Sequence, residues 1–226
     1  MFLTYILYVK ALLFVCVTVY AYSMNETANS KGRREEYTEA TRQALIAAGR
    51  TAFALDGYQG TGIEAISRAA RVTRGAFYHH FTDKRALFDA VVVAMQTETA
   101  AKIEANAKTH RDIWDRLSSG IDAYLDACLD PAYARIVVQE ASGVLGSRRY
   151  REIDEAHPLA LLTATLGALK SRGDLVVEDV SLLSHMVDAM ICEVAISLQG
   201  AKQPKLLRQR GQKIIMALLD SFRTSR

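Results

Sequence analysis

The sequence predicts an all-α fold in two parts, a three-helix N-terminal part built on a helix-turn-helix and a larger C-terminal helical part. Three observations carry this. Only three prolines occur in 226 residues. Long Ala/Leu/Val runs with few β-branched alternations place apolar residues at spacings of three and four rather than two. The segment from Thr61 to Lys84, TGIEAISRAARVTRGAFYHHFTDK, packs two short helices and a tight turn into one stretch, which is the layout of a DNA reader. A composition of 50% hydrophobic and 23% charged residues is ordinary for a folded globular chain and argues against disorder beyond the ends.

The chain opens on an anomaly. Phe2 to Tyr22 is nearly continuous apolar sequence broken by Lys10, long enough for a tilted membrane helix. It makes a poor signal peptide, because no positive charge precedes the apolar run and no small-x-small site stands near Ala21. A membrane anchor and a true start at Met24 are the other readings, and the second is adopted. Asn25 to Arg34 then forms a flexible basic arm, whose Lys31, Arg33 and Arg34 either reach DNA or stay solvated. Residues 1–35 are set apart on this basis.

Thr38 to Leu55 reads as the first helix, with Leu45, Ala48, Ala52 and Leu55 on one face and Asp56-Gly57 as its stop. Thr61 and Glu64 have capping-box spacing, which starts a helix at Gly62 whose inner face is Ile63, Ile66 and Ala70. Thr73 caps the next helix, Arg74 to about His79, which buries Ala76 or Phe77 and shows Arg74, Tyr78 and His79. Asp83 caps a long connector running from Lys84 towards Ala107. This divides the chain into a DNA-binding domain over residues 36–83 and a second domain over residues 84–226.

The second domain reads as helices over His110 to Leu129, Ala132 to Leu145, Arg151 to Arg172 with a start or a kink at His157-Pro158, Val180 to Leu198, and Pro204 to Phe222. The last two carry apolar stripes, Leu183, Val187, Met190 and Val194 on one and Leu207, Gly211, Ile214, Leu218 and Phe222 on the other. Stripes that wide suit a four-helix dimer interface. Charge is divided in the same way. Residues 31–85 hold ten Lys/Arg against six Asp/Glu, and residues 86–226 hold seventeen against eighteen, so the field that attracts phosphates sits on the helix-turn-helix.

RVTRGAFYHHFTDKRALF resembles the second half of the DNA-binding domain of tetracycline-repressor (TetR) type regulators. TRQALIAAGRTAFALDGYQGTGIEAISRAA is similar to that family's first helix, Gly-aromatic-x-x-Thr turn and second helix. The resemblance covers Glu36 to Phe88. One departure is Arg71, where the family has Gly in the turn, so a residue with a Cβ must accept φ > 0 or shift the turn. The resemblance implies a cytoplasmic homodimer that regulates transcription. It would be a repressor released from a palindromic double-stranded DNA operator when an unidentified small molecule pivots the connector helix and changes the spacing of two recognition helices on half-sites roughly 34–36 Å apart. The alternative is an architectural DNA-binding protein without a ligand.

Arg74 is the candidate for direct reading of a guanine edge, with a phosphate contact as the alternative. Gly75 and Ala76 let the helix sit deep in the groove or simply pack. Tyr78 aligns with a phosphate-contacting Tyr of the family, and His79 and His80 with base- or backbone-contacting positions. Lys84 is expected on a phosphate, and Thr61 at a second phosphate site formed by orphan amides. In the second domain Phe88, Met95, Trp114, Tyr124 and Tyr133 are candidate cavity walls. Arg135, Gln139, His157 and His185 are rare polar groups among apolar neighbours, and Met186 and Met190 complete the set. Cys16, Cys128 and Cys192 lie far apart in the sequence with no metal-binding spacing. No nucleophile-base spacing, phosphate loop or paired-carboxylate signature appears, so neither an enzyme nor a cofactor is expected.

Overall fold

The computed structural model describes residues 36–224, and among these the regular elements are helical apart from one isolated bridge, Leu175 with Arg223. The apolar segment and basic arm of residues 1–35 lie outside the described residues. Two compact units divide the chain, residues 1–44 and residues 45–226. In the first, residues 36–44 are helical and bond among themselves: the Thr41 hydroxyl donates to Tyr37 O at 2.8 Å and Gln43 Nε2 to Glu39 Oε1 at 2.7 Å.

Helix α1 runs over residues 36–60, longer at both ends than its apolar period indicates. Gly57 sits within its last turns at φ +73, the left-handed conformation its Asp-Gly signal foretells. Helix α2 (Ile63–Ala69) begins without the expected capping box. Gly62 is the N-cap and provides no side-chain bond, while the Thr61 hydroxyl turns back to donate to Gly57 O at 2.7 Å. Glu64 is engaged elsewhere, on Arg74. Helix α3 (Arg74–His80) is capped by Thr73, whose Oγ1 accepts from Ala76 N at 3.1 Å. Asp83 caps α4 (Lys84–Ala107) through Ala86 N at 2.7 Å. Both caps match the sequence reading.

The remainder of the 45–226 unit is a helical bundle. Asp112 caps α5 (Ile113–Ala127). The single helix expected over Ala132 to Leu145 is instead three pieces: α6 (Pro131–Tyr133), a π-helical turn (Ala134–Glu140) and α7 (Ala141–Leu145). The kinked helix expected over Arg151 to Arg172 is two, α8 (Ser147–Ala156) and α9 (Pro158–Ser171). The residue between them, His157, lies at φ −127, ψ −102, because the Pro158 ring excludes the helical conformation from its predecessor. Helices α10 (Val180–Leu198) and α11 (Pro204–Asp220) close the unit. Helix α10 is long and apolar enough to cross a membrane by composition, yet here it packs against α9 and α11.

One apolar cluster runs through the whole unit, from Leu45, Phe53, Ile66 and Phe77 through Phe88, Met95, Leu125 and Ile136 to Leu166 and Leu219. Phe53 and Phe88 meet edge-on with centroids 5.0 Å apart, and Tyr58 stands 5.1 Å from Phe88 in the same manner. These rings join α1 to α4, so the base of the helix-turn-helix shares its core with the connector.

Candidate nucleic-acid interface and cavity

The outer face of α3 is defined by what anchors its inner face. Phe77, not Ala76, is the buried residue, fully enclosed beside Ile66, with Phe81 5.9 Å away. That leaves Arg74, Gly75, Tyr78 and His79 exposed and Ala76 and His80 half-buried. A Cβ on Gly75 would meet nothing nearer than Thr73 Oγ1 at 3.8 Å. Nothing inside the chain requires glycine there, and its effect is to keep the outward surface of the helix low.

Arg74 rests between two neighbours: Nη1 lies 2.7 Å from Glu64 Oε1, and its guanidinium sits 5.7 Å from the Tyr78 ring centre with Nη2 at 3.5 Å from the hydroxyl. The side chains of Arg74 and Glu64 are 63% and 59% exposed, so water screens the pair and it holds Arg74 only weakly. A planar acceptor edge such as guanine O6/N7 can displace Glu64 at small cost.

The turn before α3 accommodates the departure at Arg71 by adopting φ +58. Val72 N donates to Ser67 O at 2.9 Å and Arg71 N to Arg68 O at 3.1 Å, the two bonds of a Schellman motif with arginine where glycine is usual. The turn is kept, and left-handed strain on a residue with a Cβ is its cost.

Two residues expected at phosphates are used internally. The Lys84 ammonium donates to Tyr58 O at 2.7 Å and Thr61 O at 2.8 Å and lies 4.4 Å from the Tyr58 ring centre. It thus caps the last carbonyls of α1 with two of its three N–H groups. Thr61 is buried, with its hydroxyl on Gly57 O.

A cavity of ≈ 50 Å³ lies between α4, α5, α9 and α10, walled by Ile103, Leu117, Ile121, Leu159, Leu162 and Ile191, with Arg116, Tyr124, Thr165 and Asp188 as its polar groups. Of the eleven residues proposed from sequence, only Tyr124 lines it. Phe88 and Met95 are fully buried core. Trp114 is buried beneath the Arg223 guanidinium, 5.1 Å from its ring centre. Tyr133 donates to Gln96 Oε1 at 2.6 Å, Arg135 to Leu55 O at 2.6 Å, and Gln139 to Gln199 Oε1 at 3.0 Å. His157 joins α8 to α9. His185 faces Glu155 at 3.5 Å, Met186 is 57% exposed, and Met190 packs at the core's edge.

The sequence reading missed a buried polar chain that ends at this cavity. Tyr133 bonds Gln96, Gln96 Nε2 donates to Asp154 Oδ1 at 3.3 Å, and Asp154 in turn hydrogen-bonds Asp188, which lines the wall. Burial, and then the neighbouring Asp188 charge, push the Asp154 carboxyl up to about 7. Asp188 is one of two acids, with Glu193, in the otherwise apolar run Val180 to Leu198, and that was its only signal in the sequence. Burial also pushes the Cys128 thiol up to about 12 and raises that of Cys192, so both stay protonated and unreactive at neutral pH.

On α10 and α11 the proposed dimer residues divide. Leu183, Val187 and Gly211 are buried within the chain's own core, and a Cβ on Gly211 would lie 2.7 Å from Val194, so these pack the two helices together. Met190, Val194 and Leu207 are half-buried. Ile214, Leu218 and Phe222 are exposed, as are Met186, the stripe's alternative to Val187, and Leu182, Ile196 and Leu206, which the stripe reading did not select.

Two stretches of the chain match described families. Residues 45–91 match "Bacterial regulatory proteins, tetR family", and residues 114–222 match "Tetracyclin repressor-like, C-terminal domain". The chain is 29% identical over 188 residues to the Transposon Tn10 TetC protein of Escherichia coli, a span of 82% of this chain and 92% of that protein. A TetR-family transcriptional regulator from Pectobacterium atrosepticum has the same fold with a TM-score of 0.71 and 27% identity, over 84% of this chain and 97% of its own. FadR from Bacillus subtilis, solved in complex with stearoyl-CoA, shares the fold with a TM-score of 0.65 at 18% identity, covering 77% of this chain and 97% of its own.

Proposed function

We propose, on the premise that this chain belongs to the tetR family of bacterial regulatory proteins and regulates transcription, that it is a cytoplasmic, homodimeric repressor of a palindromic operator. A small molecule entering the C-terminal domain would release it. The observation that carries the DNA part is the division of α3: Phe77 is locked in the core while Arg74, Tyr78 and His79 stand outside it.

In this reading residues 36–83 bind DNA, with Arg74 on a guanine, Tyr78 and His79 on the backbone or a base, and Gly75 and Ala76 allowing close approach. Residues 84–226 bind the ligand and the partner. The exposed apolar residues Leu182, Met186, Ile196, Ile214 and Leu218 support a dimer face, because so many large apolar groups on two adjacent helices are rarely left in water. The cavity beside Asp188 supports the ligand site. Its ≈ 50 Å³ holds a few waters rather than a drug-sized molecule, so a ligand must part α5 from α9 to enter. Such a movement displaces α4, which packs on both, and thereby the recognition helices.

Footprinting on the chain's own promoter region tests the reading. A regulator protects one short palindrome. Uniform coating of the fragment would favour an architectural protein, and no protection at all would remove the DNA-binding role.

A further inference from the structure

The π-helical turn Ala134–Glu140 has a geometric consequence that an α-helix cannot reproduce. An α-helix advances about 100° per residue, so side chains five residues apart diverge by about 140°. A turn closed by i→i+5 bonds brings such residues back onto one face. Arg135 and Glu140 are five apart, and both point at the same turn of α1. Arg135 Nη1 donates to Leu55 O at 2.6 Å and to Ala54 O at 3.3 Å, while Glu140 Oε2 accepts from Tyr58 N at 2.9 Å.

The groups gripped flank one left-handed residue: the Ala54 and Leu55 carbonyls before Gly57 and the Tyr58 amide after it. The fit is close on the receiving side as well. A Cβ on Gly57 would lie 2.6 Å from Glu140 Oε1 and 2.8 Å from Arg135 Nη2. The two gripping side chains also brace each other, with Arg135 Nε 3.8 Å from Glu140 Oε1. Tyr133, immediately before the turn, is fixed through Gln96 to the polar chain that ends at the cavity wall.

We propose that this π-turn is a positioning clasp for DNA reading: Arg135 and Glu140 hold the Gly57 turn of α1, and with it the recognition helix, in the orientation the operator requires. Neither residue touches DNA. The clasp acts by preorganisation, removing orientations of the helix-turn-helix that a paired operator cannot use. The proposal rests on the DNA-binding reading above.

The test uses the full chain and the promoter fragment that the wild type protects. Glu140→Ala removes the jaw that holds the Tyr58 amide and leaves the turn. Arg135→Ala removes one jaw and leaves the turn. Each change should weaken binding to the protected site about tenfold. Binding to random DNA and the salt slope should stay as in wild type, since no phosphate contact is lost. The double variant should bind no worse than the weaker of the two single variants, because either loss already opens the clasp.

Wild-type affinity for either variant overturns the clasp, as does a double variant whose losses add. A lowered salt slope for Arg135→Ala overturns it by making Arg135 a phosphate contact. If Glu140→Ala fails to fold, the cycle of Arg135→Ala with Glu140→Gln carries the decision by the same criterion of non-additive loss. A wild-type chain that protects no site overturns the regulator reading and the clasp together, whereas protection that the variants leave unchanged overturns the clasp alone.

Discussion

Gly57 and Glu140, 83 positions apart in the chain, approach so closely that a Cβ on the glycine would lie 2.6 Å from the glutamate Oε1. The glycine also holds φ +73. Conformation and space therefore exclude a side chain independently at this position.

Gly57→Ala should accordingly destabilise the chain by about 1–3 kcal/mol, combining left-handed strain with displacement of the two long side chains above it. Thermal unfolding of the full chain reads this directly. An alanine variant that melts with the wild type would mean that Arg135 and Glu140 yield freely.

Arg71 is the opposite case, a left-handed position occupied by a residue with a Cβ. Arg71→Gly relieves about 1 kcal/mol of strain, part of which is offset by the greater freedom of glycine in the unfolded chain. A rise of about 2 °C in melting temperature is expected for a chain of this size. No rise, or a fall, would show that the Schellman turn is held by contacts of the arginine side chain.

These two positions mark the limit of what the sequence makes legible. Thr73 and Asp83 were readable as caps because each bonds an amide three residues ahead, a choice made within one turn. The break at Pro158 was readable because a ring without an N–H acts only on its neighbours. Thr61 was misread because its hydroxyl has two acceptable partners, and burial at the end of α1 selects Gly57 O. The π-turn was invisible because its partners Leu55 and Tyr58 lie 80 and 82 residues away from Arg135 and Glu140. The cavity was missed for the same reason. Its walls come from four helices, and periodicity identifies an apolar face without saying which neighbour that face meets. For α10 and α11, apolar on more than one side, periodicity chose Leu183 and Val187, which packing turned inward.

Arg74 and Lys84 should separate on DNA. Arg74→Ala is expected to cost about 1–3 kcal/mol on the operator and to relax preference at one base position per half-site. Lys84→Met, which uncaps the end of α1, should lower the melting temperature and leave the salt slope of binding unchanged, because its ammonium is committed to Tyr58 O and Thr61 O. Equal losses on specific and random DNA would remove Arg74 from base reading, and a slope reduced by about one unit per subunit would return Lys84 to the phosphates.

Ile214 and Leu218 are 62% and 48% exposed on the outer side of α11. Placing glutamate at both should give a helical monomer, since the buried neighbours Ile215 and Leu219 keep α11 on its own core. Operator affinity should then fall steeply, because a single half-site supplies only part of the binding energy. Sedimentation that still shows a dimer would place the interface on another surface.

The carboxyl pair below the cavity predicts an acid-favoured stability. Asp154 is 5% exposed, and burial with the adjoining Asp188 raises its carboxyl to about 7, against roughly 3.9 in an unfolded chain. The folded state therefore keeps a proton that the unfolded state has released across that interval. With more protons bound when folded, stability falls as pH rises from about 4 to about 7 and is lost above the folded value. The loss is on the order of a few kcal/mol, shared with the coupled Asp188. Asp154→Asn is neutral throughout, so its melting temperature should exceed the wild type's at about pH 8 and approach it only near about pH 4. The difference between the two proteins, rather than either curve alone, isolates this site from every other titrating group. A constant difference across that range would place the proton elsewhere.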